Sequence, residues 1–220
     1  MGQTSRGSAK TAPPPTRKRP IPDPTRLWAA AETVRPLVSR SHPSRLPGVT
    51  PDDGLDGLLR LHRQVDEEAT SLARLHGPGL VCRRGCSACC VDGLTVFEVE
   101  ADRIRRGAPE LLRSGLPHAP GRCAFLDSHL ACRIYEHRPY VCRTQGLPLR
   151  WLEETPSGEI VEERDVCELN LIGTSLVTLP EPDLWLIGPF EQRLARLQQE
   201  ARGNQKRVAL RSLFERNPED

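Results

Sequence analysis

The sequence is poor in the residues that usually build a large hydrophobic core. Aromatic residues make up 4% of the 220 positions, and methionine occurs once. The chain has no apolar stretch long enough to cross a bilayer, and its first residues do not resemble a secretory signal peptide. We therefore expect a cytoplasmic protein with no membrane association, whose stability needs a contribution beyond that of a small apolar core.

Motifs that would assign a reaction are also missing. The sequence contains no Ser-His-Asp arrangement, no glycine-rich phosphate-binding loop and no H-E-x-x-H run. It also lacks the βαβαβ alternation of large parallel-sheet folds and shows no internal repeat. No residue is therefore predicted to be catalytic, and whether the protein is an enzyme stays open.

The beginning of the chain differs in composition from the remainder. The first 50 residues hold nine Lys and Arg, two Asp and Glu, and nine of the 21 prolines. Such a segment cannot bury enough apolar surface to fold alone, so residues 1–49 are predicted to form a disordered, basic, proline-rich tail. Its basic run, Arg17-Lys18-Arg19, has no nearby aromatic residue on which a base could stack, which argues against nucleic acid as a partner.

The remaining residues predict an α+β fold with three parts. Capping signals at Thr50-Pro51-Asp52-Asp53 and leucines at helical spacing indicate an amphipathic helix over residues 50–78. Residues 79–175 predict a small cysteine-rich metal-binding domain with one short strand near Leu94 and Val96, a helix over 98–106, and hairpins at 123–132 and 147–161. Residues 176–220 predict helices that flank and pack on this domain, one from Pro189 to Gly203 and a last one near Leu210–Phe214.

Eight cysteines are the strongest functional signal of the chain. Four lie within nine positions as Cys82-x-x-x-Cys86-x-x-Cys89-Cys90, and the others are Cys123, Cys132, Cys142 and Cys167. Disulfides are disfavoured, because a reducing compartment keeps thiols free and adjacent cysteines bridge only with strain. Thiolates select zinc and iron, so all eight are predicted metal ligands, in one site or two. His118, His129 and His137 could each replace a thiolate, but surface positions are favoured for them.

Two common iron–sulfur patterns fit poorly. The spacing from Cys82 to Cys89 resembles that of radical S-adenosylmethionine enzymes, but Ala88 stands where those enzymes usually have an aromatic residue. The chain also lacks their long series of β/α units. The bacterial ferredoxin pattern does not occur either.

A closer match is found in the whole cysteine pattern. The stretches Cys86-Ser87-Ala88-Cys89-Cys90, Arg122-Cys123-Ala124-Phe125-Leu126 and Cys132-Arg133-Ile134-Tyr135-Glu136-His137-Arg138-Pro139-Tyr140-Val141-Cys142-Arg143, followed by Cys167, resemble the YkgJ-type cysteine-cluster family. Its members are described as candidate zinc- or iron-chelating proteins of the CxxCxxCC type. The resemblance covers about residues 80–170, and the chain departs from it in its basic N-terminus, its C-terminal helices and the three residues between Cys82 and Cys86.

The resemblance implies a metal centre and leaves its chemistry open. It implies iron, for example as a [4Fe–4S] cluster, or zinc as the cofactor, with the iron–sulfur cluster slightly favoured. Tyr135, Arg138 and Arg143 are matched family positions, and the two arginines would stabilise thiolates or an anionic cluster. One relative, flagellin lysine N-methylase, carries a similar domain, so a redox or protein-modification enzyme is one alternative. A structural zinc module that binds another protein is the second alternative.

Overall fold

The computed structural model of the protein describes residues 52–214. The described residues all belong to one compact unit. The predicted tail, residues 1–49, lies outside the described residues. The observed helices and short sheets confirm the predicted α+β class. The bounds of the three predicted parts stay a prediction.

The longest element is helix α1, Asp52–His76, which falls within the predicted range of 50–78. The helix begins directly after Pro51, and the turn Gly77–Gly79 follows its last residue. Its buried side chains, Leu58, Leu61, Val65 and Leu72, recur at helical spacing and face the remainder of the domain.

A second group of elements joins the middle of the chain to its end. Strand β1, Thr95–Phe97, leads directly into helix α2, Glu98–Gly107, and the short helix α3, Pro109–Ser114. Strand β5, Arg207–Ala209, pairs with β1 in antiparallel register, Val96 opposite Val208. The end of the described chain therefore pairs with the segment that follows the first four cysteines.

A three-stranded sheet and two helices complete the fold. Strands β2, Leu149–Glu154, and β3, Ile160–Asp165, form the hairpin predicted at 147–161, and β4, Trp185–Leu186, runs parallel to β2. Helix α4, Tyr140–Thr144, precedes this sheet, and helix α5, Gly188–Arg202, follows it and ends at Gly203 as predicted. Tyr140, Trp185 and Phe190 pack together, with the rings of Trp185 and Phe190 5.1 Å apart.

Two predicted elements differ in the structure. The hairpin expected at 123–132 is reduced to one isolated antiparallel bridge between Leu126 and Cys132. The reason is that the Asp127 carboxylate accepts the N–H groups of His129 and Ala131, which makes a tight turn in place of a strand ladder. The last predicted helix is a single 3₁₀ turn, Arg211–Phe214, because the preceding residues form β5.

The hydrophobic core lies directly under the cysteine-bearing segments. Its buried members include Val96, Ile104, Phe125 and Leu213, and the partly buried thiols of Cys90 and Cys132 pack against it. Over residues 52–214, no helix combines the length and the apolar character that a bilayer span requires.

A buried polar cluster joins three helices behind this core. His62 of α1 is 1% exposed, with its Nε2 3.4 Å from Oε1 of Glu100 on α2 and its Nδ1 against the guanidinium of Arg103. The same Glu100 oxygen accepts the backbone N–H of Tyr140 at 2.7 Å, at the start of α4. Burial lowers the pKa of His62 below its ordinary value of 6.5.

We expect acid to destabilise the protein in part through His62. A histidine with a lowered folded-state pKa contributes stability above the unfolded value of 6.5, and that contribution is lost as the pH falls through the folded value. The free energy of unfolding of the wild type should therefore fall faster between pH 7.5 and 5.5 than that of His62→Gln, by up to about 1.4 kcal/mol per pH unit, as measured by denaturant titration at each pH. His129→Gln, on an exposed turn, is the control. If stability depends on pH equally in the wild type and in His62→Gln, His62 does not contribute to the acid sensitivity.

Candidate metal centre

Seven of the eight cysteines line one cavity of about 150 Å³. All eight are free thiols. Apolar side chains, including those of Leu94, Phe125 and Leu210, form part of the same wall. The lining cysteines are Cys82, Cys86, Cys89, Cys90, Cys123, Cys132 and Cys142. The structure therefore brings together thiols that are up to 60 positions apart in the sequence.

The first four cysteines lie on a loop shaped by tight turns. The N–H of Cys86 donates to the carbonyl of Arg83 at 2.9 Å, and the N–H of Cys90 donates to that of Ser87 at 3.0 Å. The carbonyl of Cys90 in turn accepts the N–H of Cys123 at 3.1 Å. Because of this last bond, the loop and the second cysteine-bearing segment are held side by side.

The end of the described chain fixes the same two segments from outside. Nε of Arg211 donates to the Asp92 carboxylate at 2.9 Å, and its terminal nitrogens donate to the carbonyls of His118 and Arg122 at 2.7 and 2.9 Å. The N–H of Leu210 donates to the carbonyl of Leu94 at 2.9 Å. Residues 210–211 thus hold Asp92 and Leu94, which follow Cys90, beside the backbone of Arg122, which precedes Cys123.

Asn170 joins the last cysteine to the first. Its side chain accepts the N–H of Val81 at 2.9 Å and donates to the Gly146 carbonyl at 2.6 Å and to the Cys82 sulfur at 3.1 Å. Its own N–H donates to the carbonyl of Cys167 at 2.8 Å, and the residue is 2% exposed. Sequence reasoning missed Asn170, because its role depends on the approach of residues 81, 82 and 146, which no local signal shows.

Gly146 is the second residue that the sequence did not reveal. Its φ of +92° is a conformation that side chains rarely adopt. A Cβ atom at this position would overlap the sulfur of Cys82. Only glycine therefore lets this backbone pass so close to the first thiol.

Burial keeps most of these thiols protonated in the metal-free protein. It raises the pKa of Cys82, Cys123, Cys132, Cys142 and Cys167 above the ordinary value of 9.0. Cys89 differs, because a hydrogen bond from the Cys90 thiol lowers its pKa to about 7. Metal binding must therefore displace protons, and affinity is expected to fall with falling pH.

The three matched family positions are placed differently. Tyr135 and Arg138 line the cavity, and the Arg138 guanidinium lies 3.9 Å from the centre of the Tyr135 ring. Arg143 points toward α1, where it pairs with Asp66 and donates to the carbonyl of Arg138 at 2.9 Å. The structure thus brings two of the three to the cysteines, and Arg143 holds α4 against α1.

Arg138→Ala is expected to weaken metal affinity by about 10–100-fold without abolishing binding. The substitution removes the positive charge near Cys132 and the contact with Tyr135. Affinity is measured by competition with a chromogenic chelator. Arg105→Ala, at an exposed pair with Asp102, is the control. An unchanged affinity and spectrum in Arg138→Ala would show that this guanidinium has no part in the centre.

The donor chemistry fits zinc or iron, but the ligands are not arranged in advance. Soft thiolates beside an apolar wall suit either metal. Over residues 52–214, however, no three Cys, His, Asp or Glu side chains are already positioned as ligands of one ion. The cavity lining does not include His118, His129 or His137. Metal binding therefore has to draw thiols together within a site that the backbone has brought close.

The comparisons with known proteins agree with this chemistry. No curated protein and no solved structure matches the chain. Residues 81–168 match the family model CxxCxxCC, whose description is "Putative zinc- or iron-chelating domain". The match spans all eight cysteines and confirms the CxxCxxCC resemblance predicted from their spacing.

Proposed function

We propose that the protein is a metalloprotein that holds iron, as an iron–sulfur cluster, or zinc through its eight cysteines. The observation that carries the proposal is the single cavity that seven of the thiols line. An iron–sulfur cluster is slightly favoured, because Arg83 and Arg138 also line the cavity and would offset the negative charge of a thiolate-bound cluster. The cytoplasm is the proposed compartment, because its reducing conditions keep cysteines available as metal ligands.

The apolar wall supports a metal in a partly dry site. Leu94, Phe125 and Leu210 remove solvent from one side of the thiols, and burial raises the pKa of Cys142 well above 9.0. A thiolate in such surroundings is stable only with a nearby positive charge, which a metal ion supplies directly. The residues present therefore suit a bound metal better than eight independent redox-active thiols.

A structural zinc module is the second candidate. It is favoured by the way in which the cysteine-bearing segments also hold the tertiary fold, through the Cys90–Cys123 backbone bond and the Asn170 contacts. Closed zinc sites of four protein ligands usually have this role. A redox or protein-modification enzyme of the flagellin N-methylase kind stays an alternative, which requires a cluster with access to a substrate.

Metal analysis of anaerobically purified full-length protein tests these proposals. We expect stoichiometric iron, acid-labile sulfide and a brown colour for the cluster, and a colourless protein with stoichiometric zinc for the structural module. The Cys132→Ser variant should lose metal. The control is Ser128→Ala, on the neighbouring exposed turn, which should keep its metal. Rapid reaction of all eight native thiols with a thiol reagent, with no metal released, would overturn the function.

A further inference from the structure

We propose that Asn170 is a positioning residue of the metal centre, whose side-chain N–H holds the Cys82 sulfur in place as a ligand. The inference rests on the proposed function and adds to it a residue that controls how firmly one thiolate binds and how readily it reacts. Cys82 is the ligand that needs such support, because it is more exposed to solvent than the other seven cysteines.

Each polar atom of the buried Asn170 side chain has a hydrogen-bond partner. Its Oδ1 accepts the N–H of Val81 at 2.9 Å, and its Nδ2 donates to the Gly146 carbonyl at 2.6 Å and to the Cys82 sulfur at 3.1 Å. These partners fix the orientation of the amide, because a flipped amide would set N–H against N–H at Val81 and oxygen against oxygen at Gly146. The group that faces the Cys82 sulfur is therefore an N–H donor.

The backbone on both sides of Asn170 is also held. The N–H of Asn170 donates to the carbonyl of Cys167 at 2.8 Å, and the N–H of the next residue, Leu171, donates to the carbonyl of Gly79 at 2.7 Å. Leu171 has a φ of +49°, which residues other than glycine seldom adopt. Such a conformation persists only where the surrounding contacts determine it. The chain therefore presents the Asn170 side chain to the first cysteine in one defined arrangement.

A hydrogen bond to a ligating sulfur acts on a metal centre in two ways. It fixes the orientation of the ligand, as the hydrogen-bond partners of metal ligands generally do. It also withdraws electron density from the sulfur, which makes a thiolate less nucleophilic and helps to set the reduction potential of iron–sulfur clusters. Once metal binding has removed the Cys82 proton, the bond from Asn170 ends on a charged acceptor and becomes stronger.

Asn170→Asp tests this role in zinc-loaded full-length protein under anaerobic reducing conditions. The substitution keeps the side-chain shape and the oxygen that accepts the Val81 N–H, but it removes both N–H donors. Zinc affinity, measured by competition with a chromogenic chelator, should fall about 10–100-fold. Alkylation of Cys82, mapped on peptides, should become at least about tenfold faster relative to that of Cys86, because one hydrogen bond to a charged group is lost.

Cobalt(II) in place of zinc adds a measurement that a loss of stability alone does not change. In Asn170→Asp the sulfur-to-cobalt charge-transfer band should move to longer wavelength, because the Cys82 lone pairs lose a hydrogen-bond donor and rise in energy.

The matched control is Gln198→Glu, the same amide-to-carboxyl change at a second buried position. Gln198 is 0% exposed, and its amide accepts the N–H of Val99 and donates to Asn204, with no cysteine among its partners. This variant should lose stability, while its cobalt band and the rate of Cys82 alkylation should stay those of the wild type.

The wild type provides a measurement that does not depend on the folding of any variant. In the zinc-loaded wild type, Cys82 should be alkylated no faster than Cys86, although Cys82 is the more exposed of the two. Faster labelling of Cys82 would overturn the role of Asn170.

The outcomes separate this inference from the function on which it rests. Unchanged labelling and an unchanged cobalt band in a folded Asn170→Asp protein, even with a lower zinc affinity, would make Asn170 a purely structural residue and overturn the inference while metal binding stands. The same holds if Gln198→Glu shifts the band equally. A wild-type protein that binds neither zinc nor cobalt would overturn the proposed function together with this inference.

Discussion

Removal of the metal should lower the melting temperature of the whole domain by about 8–16 °C. The cysteines are distributed from residue 82 to residue 167, so a bound metal joins the loop after α1, the Leu126–Cys132 turn, α4 and the segment after β3. A ligand held at about 1,000 times its dissociation constant stabilises the folded state by about 4.1 kcal/mol. For a domain of about 160 residues this corresponds to about 2–4 °C per kcal/mol.

The experiment compares thermal unfolding before and after chelation of the reduced protein, with metal loss verified by elemental analysis. Restoring zinc or iron should restore the melting temperature. The matched control is Cys142→Ser, which should already melt at a lower temperature and should respond less to the chelator. If complete metal loss leaves the wild-type melting temperature unchanged, the cysteines do not couple metal binding to folding.

Gly146→Ala is expected to destabilise the protein by about 2–5 kcal/mol and to reduce metal binding at Cys82. Two effects add. A side chain at a φ of +92° costs about 1–2 kcal/mol, and forcing a methyl group into a filled space costs about 1–3 kcal/mol more. Here that space is occupied by the Cys82 sulfur, so relief of the overlap must displace a predicted ligand.

The chain offers a matched control in Gly158→Ala. Gly158 lies in the turn between β2 and β3 with a φ of +83°, but a Cβ there meets no atom within 4 Å. Gly158→Ala should therefore show the backbone cost alone, with unchanged metal content. Thermal unfolding and zinc titration of both variants separate the two effects. Equal losses of stability and full metal content in both would show that the approach of Gly146 to Cys82 has no consequence.

Local signals explain which parts of the fold the sequence could predict. Helices α1 and α5 follow from apolar spacing and from glycines beyond their ends, and the β2–β3 hairpin follows from the Pro156-Ser157-Gly158 turn. The pairing of β1 with β5 joins residues more than 100 positions apart, and three-residue strands carry no periodicity of their own. The hairpin predicted at 123–132 is shortened to one antiparallel bridge, because the carboxylate of Asp127 accepts two N–H groups that a longer ladder would use.

The metal centre shows the same limit. Cysteines are recognisable by residue type and spacing alone, so the sequence predicts the candidate ligands. Asn170 and Gly146 act only because the chain brings Val81, Cys82 and Cys167 together at their positions. Nothing local marks an asparagine or a glycine for that role. Arg143 illustrates the converse, since it matches the family pattern but contacts Asp66 and not the cavity.

The contacts of residues 207–211 have a consequence for the order of events during synthesis. All eight cysteines have been made once residue 167 is added, but the strand that pairs with β1 and the arginine that holds Asp92 come 40 or more residues later. A nascent chain therefore carries a full set of reactive thiols before the wall formed by Leu210 can close over them. Because folding during translation proceeds from the N-terminus, the cysteine cavity can be completed only after residues 207–211 have been synthesised.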